Sequence, residues 1–202
     1  MHGILGQPYL YWNVLRRRLQ RDGFPLHEAS LPYGLLGDIR VAAVLLRDRV
    51  EEVLAASGAD RLDVVCHSAG GLVVRYYLHF LRGHRHVAHV VHLGVPHGGT
   101  ALSRVLPLPV AVRRQTAPAS GLIQELDAAP PLPDDVRVTN LWSPTDGIVV
   151  PARHALLEGA RNIELPWTHH WGMLWSRRAH DAVLAALRDA ADGEAAGATG
   201  DA

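Results

Sequence analysis

The sequence lacks several features that mark large classes of proteins. It has one cysteine, Cys66, so no disulfide can form within the chain. Twenty basic residues balance twenty acidic ones, so no net charge attracts the chain to nucleic acid or to an anionic membrane. No apolar run is long enough to span a bilayer, and no charged segment followed by an apolar core indicates a signal peptide. We therefore expect a soluble, unexported protein without nucleic-acid binding or stable membrane insertion.

The length and the composition predict one domain. A chain of 202 residues can bury a sizeable core, but it is too short for two domains of ordinary size. From residue 189 the sequence is rich in Ala, Gly and Asp and has no hydrophobic periodicity. We expect a domain over residues 1–188 and a disordered tail over residues 189–202. The sequence has no internal repeat, and we expect a monomer.

One stretch, residues 62–74, predicts a strand, a sharp turn and a helix in immediate succession. An apolar β-branched run leads to Cys66, His67 and Ser68, and Gly70 and Gly71 then open an amphipathic helical pattern. A serine at such a turn is typical of a nucleophile elbow, in which small neighbours let strand and helix approach closely. The alternative is a serine that only caps the helix. We expect Cys66 to be a small buried apolar residue rather than a reactive thiol.

Elements of alternating type precede and follow this stretch. Apolar, β-branched runs predict strands at residues 24–29, 62–66, 87–94, 136–142 and 162–165. Helical spacing predicts helices from Trp12 to Gly23, from an N-cap at Asp38 to Gly58, after the elbow to about Arg82, and from a cap at Ser176 to Leu187. Alternating strands and helices indicate an α/β fold with a mainly parallel sheet covered by helices on both faces. Residues 101–135, with one short helix near 122–126, are interpreted as an excursion over the sheet.

Residues suited to activate Ser68 follow it in the chain. A serine hydroxyl is a poor nucleophile at neutral pH, so it needs a histidine as base and an acid that orients the histidine. Asp146 lies in a turn directly after a predicted strand, and His169 and His170 lie in a loop after the next one. The order serine, acid, histidine is that of α/β-hydrolases. Spacing alone leaves the choice between the two histidines open.

Several motifs together resemble one family, the small bacterial lipases of lipase A type, which are compact α/β-hydrolases. The matching pieces are His2-Gly3-Ile4 with Gly6, Cys66-His67-Ser68-Ala69-Gly70-Gly71, Arg75-Tyr76-Tyr77, residues 93–100, the turn at Asp146, residues 157–163, and residues 170–176. The resemblance implies hydrolysis of carboxylic esters of lipids or smaller substrates, with His170 as the catalytic histidine. It also implies an oxyanion hole from the backbone N–H groups of Ile4 and Ala69.

The resemblance carries further expectations for the site. Leu5, Trp12, His97 and Trp171 are candidates to line an acyl groove, although each also suits ordinary core or surface packing. No extra calcium or zinc ligands of the family are recognised, and strand alternation separates His89 from His92, so we expect neither a metal nor a cofactor. The excursion at 101–135 is interpreted as sheet cover rather than as a lid.

The family also has an apolar strand before its His-Gly turn, inside the sheet. Here Met1 stands where that strand should end, so we expect the first core strand to be missing or encoded upstream. Secretion is left open for the same reason. Other functions remain open too: acyl transfer or deacylation of a lipid-linked glycan on the same fold, or an inactive hydrolase-like scaffold that binds a partner.

Overall fold

The computed structural model of the chain describes residues 12–29, 37–105 and 109–198. Within them, four strands form the sheet: β1 (Leu62–His67), β2 (Val87–Leu93), β3 (Arg137–Trp142) and β4 (Arg161–Glu164). The helices are α1 (Asn13–Arg21), α2 (Ile39–Ser57), α3 (Gly70–Phe80), α4 (Val110–Thr116), α5 (Gly121–Asp127) and α6 (Arg177–Ala198). Short 3₁₀ helices cover Gly83–Arg85, Ala101–Arg104, Ala152–Ala155 and Trp171–Leu174.

The four strands are parallel and lie in the order β1-β2-β3-β4. Every connection therefore crosses over a face of the sheet, and the carboxyl ends of all four strands lie at one edge. Ser68 follows β1, Gly94 follows β2 and Ser143 follows β3 at this edge. Ligands of open parallel sheets bind outside the carboxyl ends of the strands, so this edge is where a site is expected.

Apolar side chains cover the sheet on both faces, as the sequence predicts. On one face α2, α3 and α5 pack over a core that includes Val64, Cys66 and Val90. On the other face α1 and α6 pack over a core that includes Val91 and Leu141. The two sets come from alternate positions of the same strands because successive side chains of a strand point to opposite faces. The predicted α/β fold with a covered parallel sheet is confirmed.

Three predicted helix ends are also confirmed. The side chain of Asp38 accepts a hydrogen bond of 2.8 Å from the Arg40 N–H, so it caps α2. Gly58 ends the same helix with a left-handed backbone, φ +71°. Ser176 Oγ accepts from the Ala179 N–H at 3.4 Å at the start of α6.

The strand predicted at residues 24–29 is wrong. These residues form no strand in the structure, and Leu26 in the middle of them is 36% exposed. Pro25 has no N–H to donate to a neighbouring strand, which weakens the pairing of so short a segment. Only its ends, Phe24 and Ala29, pack against the cores. The segment is therefore an extended connection between α1 and α2.

The excursion at 101–135 contains more helix than the sequence predicts. The helix expected near 122–126 is α5, but α4 was not predicted, since its sequence, Val-Ala-Val-Arg-Arg-Gln-Thr, is too short for a periodic pattern. At the end of the chain α6 continues to Ala198, so residues 189–198 of the predicted tail are helical, and the domain boundary itself stays a prediction. The expected gap in the sheet before His2 lies outside the described residues. No helix within the described ranges has the length and apolarity to cross a membrane.

Candidate active site

Ser68 occupies a tight turn between β1 and α3. Its backbone has φ +56°, a left-handed conformation that is uncommon for a residue with a side chain. Its N–H still donates to the Leu93 carbonyl at 2.9 Å, so β2 holds the turn in place. A Cβ atom on Gly71 would lie 2.2 Å from Cγ2 of Val95, which makes glycine necessary there. The strand-turn-helix geometry and the need for a small neighbour match the nucleophile elbow that the sequence predicts.

Three side chains from different loops meet at this turn. His170 Nε2 lies 2.9 Å from Ser68 Oγ, and His170 Nδ1 lies 2.9 Å from Asp146 Oδ2. A carboxylate only accepts hydrogen bonds, so Nδ1 carries the proton and donates it to Asp146. Nε2 is then free to accept from the Ser68 hydroxyl. The arrangement allows His170 to take the serine proton while Asp146 stabilises the charge that results.

Asp146 is held in place by the turn that contains it. Its Oδ1 accepts from the backbone N–H groups of Ile148 at 2.9 Å and Val149 at 2.7 Å, and its side chain is buried. Its carbonyl oxygen also accepts from the His170 N–H at 2.8 Å. Backbone and side chain of Asp146 therefore both bind His170, and this fixes the orientation of the imidazole.

Gly94, directly after β2, gives the acid and the histidine room to meet. Its φ is +54°, and a Cβ there would lie 3.0 Å from Asp146 Oδ2 and 3.2 Å from His170 Nδ1. Sequence reasoning did not assign this role. The only signal is a glycine immediately after a buried strand that leads to the carboxyl edge.

The two neighbouring histidines are placed differently. His169 is exposed, and its Nδ1 accepts from the Gly172 N–H at 3.1 Å. His170 is 2% exposed and is the one that contacts Ser68 and Asp146. The geometry therefore favours the assignment that the family resemblance implies, and the catalytic roles themselves stay a prediction.

The remaining predicted site residues differ in their surroundings. Ala69 precedes the first residue of α3, so its N–H lies at a helix N-terminus beside Ser68, where an oxyanion would be stabilised. Trp171 packs edge-on against the His170 ring, with centroids 5.6 Å apart. Trp12 packs against the core under α1 and α6. His97 is buried and contacts Asn140 and His92. Ile4 and Leu5 lie outside the described residues.

Burial decides the protonation of the groups around the site. It raises the pKa of the Cys66 thiol to about 12, so this cysteine is a buried apolar residue, as predicted, and not a nucleophile. Burial also lowers the pKa of His67 well below its usual value, and the nearby His170 lowers it further. His67 is therefore uncharged at neutral pH.

The many other histidines do not form a metal centre in the described ranges, where no group of three or more His, Cys, Asp or Glu side chains is arranged to hold an ion. His86 and His89 have hydrogen-bond partners within the protein, Tyr77 at 3.2 Å and Thr139 at 3.0 Å. His92 packs against the His97 ring, with centroids 4.8 Å apart.

Comparison with known proteins supports the fold. No model of a known protein family matches the sequence. Among solved structures, the chain is similar to a mature Bacillus licheniformis lipase, BlEst2 (TM-score 0.71, 17% identity, covering 86% of this chain and 84% of that one). It is also similar to the lin2722 product of Listeria innocua (TM-score 0.68, 16% identity, covering 93% of this chain and 91% of that one). A third similar structure is Aspergillus fumigatus lipase B (TM-score 0.74, 16% identity, covering 89% of this chain and 49% of that one). At these identities the likeness is one of fold, and the chain has the α/β-hydrolase fold.

Proposed function

We propose that this protein is a serine hydrolase that cleaves carboxylic esters, a lipase or esterase similar to the small lipases of lipase A type. The observation that carries the proposal is the chain of hydrogen bonds from Asp146 through His170 to Ser68. It lies at the carboxyl edge of the sheet, on a strand-turn-helix elbow in which Ser68 has φ +56°. A serine that only caps a helix needs neither the histidine nor the acid.

In the proposed reaction Ser68 Oγ attacks the ester carbonyl while His170 Nε2 takes the hydroxyl proton. His170 then gives that proton to the leaving alcohol, which departs and leaves an acyl group on Ser68. A water molecule then attacks the acyl carbonyl while His170 Nε2 takes one of its protons. The bond between the acyl carbon and Ser68 Oγ breaks, His170 returns the proton to Oγ, and the carboxylic acid is released. Asp146 stays ionised and stabilises the transient imidazolium. The proton transfers in this scheme use the chain's own groups, so no metal or cofactor is invoked.

The negative charge of the tetrahedral intermediate needs hydrogen-bond donors. Ala69 supplies a backbone N–H beside the nucleophile, at the start of α3. The second donor in this proposal is the N–H of Ile4, as the family resemblance implies. Trp171, whose ring touches His170, is the described candidate for contact with the acyl chain. All three reacting side chains come from one chain, so we propose a monomeric enzyme.

A serine-directed fluorophosphonate tests the proposal directly. The probe should label Ser68, identified by peptide mapping, and labelling should abolish hydrolysis of a short-chain nitrophenyl ester. Ser68→Ala and His170→Ala should each lower kcat by ~10³-fold or more, since the members of a triad act together. His169→Ala is the matched control and should retain activity within about threefold, because among the described residues the His169 ring is exposed and hydrogen-bonds to the Gly172 N–H instead of to Ser68 or Asp146. Labelling at another residue, or equal losses at the two histidines, would overturn the proposal.

A further inference from the structure

The residue before the nucleophile also contacts the proposed base. The His67 ring is 1% exposed, and its centroid lies 4.6 Å from that of His170. His67 Nε2 lies 3.0 Å from the carbonyl oxygen of His170. Trp171 packs against both rings, at 5.8 Å from His67 and 5.6 Å from His170. One side chain therefore joins the nucleophile's own strand to the loop that presents the base.

The donor in this contact is unambiguous. A carbonyl oxygen can only accept, so the proton in the bond belongs to His67 Nε2. Because burial lowers the pKa of His67, the ring stays neutral and Nδ1 carries no proton. A neutral ring also avoids repulsion when His170 takes the serine proton and becomes positively charged.

This contact completes the restraint of the His170 backbone. The His170 N–H donates to the Asp146 carbonyl, and the His170 carbonyl accepts from His67. The first bond fixes the position of His170 relative to Asp146. The second fixes its position relative to Ser68, because His67 and Ser68 are covalent neighbours. Within the described residues, two hydrogen bonds connect the base to the elbow: Ser68 Oγ donates to His170 Nε2, and His67 Nε2 donates to the His170 carbonyl oxygen.

We propose that His67 is a positioning residue, which fixes the base against the nucleophile by donating its Nε2–H to the carbonyl oxygen of His170. This inference rests on the proposed function, since it assumes that Ser68 and His170 react. The role requires that the side chain at position 67 be long enough to reach the loop of His170 and that it end in a hydrogen-bond donor. A glutamine places an amide N–H at a similar reach, whereas leucine fills similar space without a donor.

The test compares His67→Leu and His67→Gln with the wild-type chain. Active sites are counted by fluorophosphonate titration, so that kcat is expressed per reactive serine. His67→Leu should lower kcat per titrated site and the labelling rate constant by about 10- to 100-fold with KM nearly unchanged, since misplacement by about 1 Å costs up to ~10² in rate. His67→Gln should stay within about threefold of wild type. The matched control is His89→Leu, because His89 is also a buried histidine on a strand but contacts Thr139 instead of the site. This variant should keep the wild-type kcat per site.

The outcomes separate this inference from the proposed function. If the wild-type chain is not labelled at Ser68, the proposed function itself fails. If it is labelled and His67→Leu keeps the wild-type kcat per site, or His67→Gln falls as far as His67→Leu, the positioning role is wrong and the hydrolase remains. Should the leucine variant fail to fold, nitrogen NMR of the folded wild-type protein decides: a His67 ring protonated at Nε2 that does not titrate between about pH 6 and 9 supports the role. A proton on Nδ1 or a titration in that range would refute it.

Discussion

Acid should destabilise this protein strongly, because several of its histidines are buried in an uncharged form. His67, His89, His92 and His97 are each at most 2% exposed. Burial is the main cause that lowers their pKa values, to about 4 for His89, to about 3 for His92, and well below the usual value for the other two. In the unfolded chain all four titrate near ~6.5. Below that pH the unfolded chain binds protons that the folded chain excludes, so the free energy of unfolding falls.

The size of the effect follows from proton linkage. A histidine with a pKa near ~6.5 in the unfolded chain, uncharged when folded, removes ~2 kcal/mol of stability between about pH 7.5 and pH 5. Four such residues remove ~8 kcal/mol, which is comparable to the whole stability of ~5–15 kcal/mol of a typical domain. The loss begins as the pH falls through about 6.5, and it is absent above that value. We expect the chain to unfold, or nearly so, at about pH 5.

One substitution isolates the contribution of a single ring. Neither ring nitrogen of His92 has a hydrogen-bond partner among the described residues, and both are shielded from solvent. His92→Leu removes the titration without breaking a hydrogen bond, so the variant should be at least as stable as wild type at pH 7.5. Between about pH 7.5 and pH 5 the free energy of unfolding of the variant should fall by ~2 kcal/mol less than that of wild type, which is the contribution of one buried histidine.

Urea unfolding followed by circular dichroism at both pH values measures the free energies. His27→Gln, a substitution at an exposed histidine, supplies the matched control. If His92→Leu loses as much stability on acidification as wild type, the buried ring is not the source of the acid sensitivity and the reasoning fails. If the wild-type chain keeps its stability down to about pH 5, the four rings are not excluded from protonation.

Two further predictions follow. Gly94→Ala should lower kcat by about 10- to 100-fold and destabilise the fold by ~1–2 kcal/mol, because a Cβ at φ +54° meets Asp146 and His170. The matched control is Gly121→Ala at the start of α5, where an added Cβ would have no atom within 4 Å. This variant should keep its activity in the same ester assay. A loss equal to that of Gly94→Ala would contradict the steric argument. The rate of hydrolysis of a partly soluble ester should saturate smoothly with concentration, without a jump where dissolved monomers give way to droplets. The reason is that Leu122, Ile123 and Leu126 of the 101–135 excursion are packed in the core and do not form a lid. A jump in rate at that concentration would indicate a lid.

The sequence predicts well what local pattern determines. The strand, turn and helix around Ser68 follow from consecutive residues, and so do the caps at Asp38 and Gly58. The covered parallel sheet follows from the alternation of element types. Residues 24–29 have strand composition but form no strand, because pairing depends on a partner that composition does not reveal.

What the sequence does not predict depends on contacts between distant residues. Nothing local distinguishes His170 from His169; burial and the Asp146 turn do so across 24 positions of the chain. The role of Gly94 is set by two side chains that are far away in sequence. His97, a candidate for the groove, is buried and contacts Asn140, and its position after a predicted strand does not reveal that contact.

The acid and the histidine of this site form a unit that is separate from the serine. Asp146 and His170 are tied by side chain and by backbone, and both follow the 101–135 excursion in the chain, whereas Ser68 precedes it. Because neither residue lies in the excursion, a change in residues 101–135 that keeps Leu122, Ile123 and Leu126 in the core leaves the segment from Asp146 to His170 unaltered. In the proposed hydrolase the cover over the sheet can therefore vary without rebuilding the acid-histidine pair. The exposed residues of the excursion are accordingly the positions at which to design new substrate specificity.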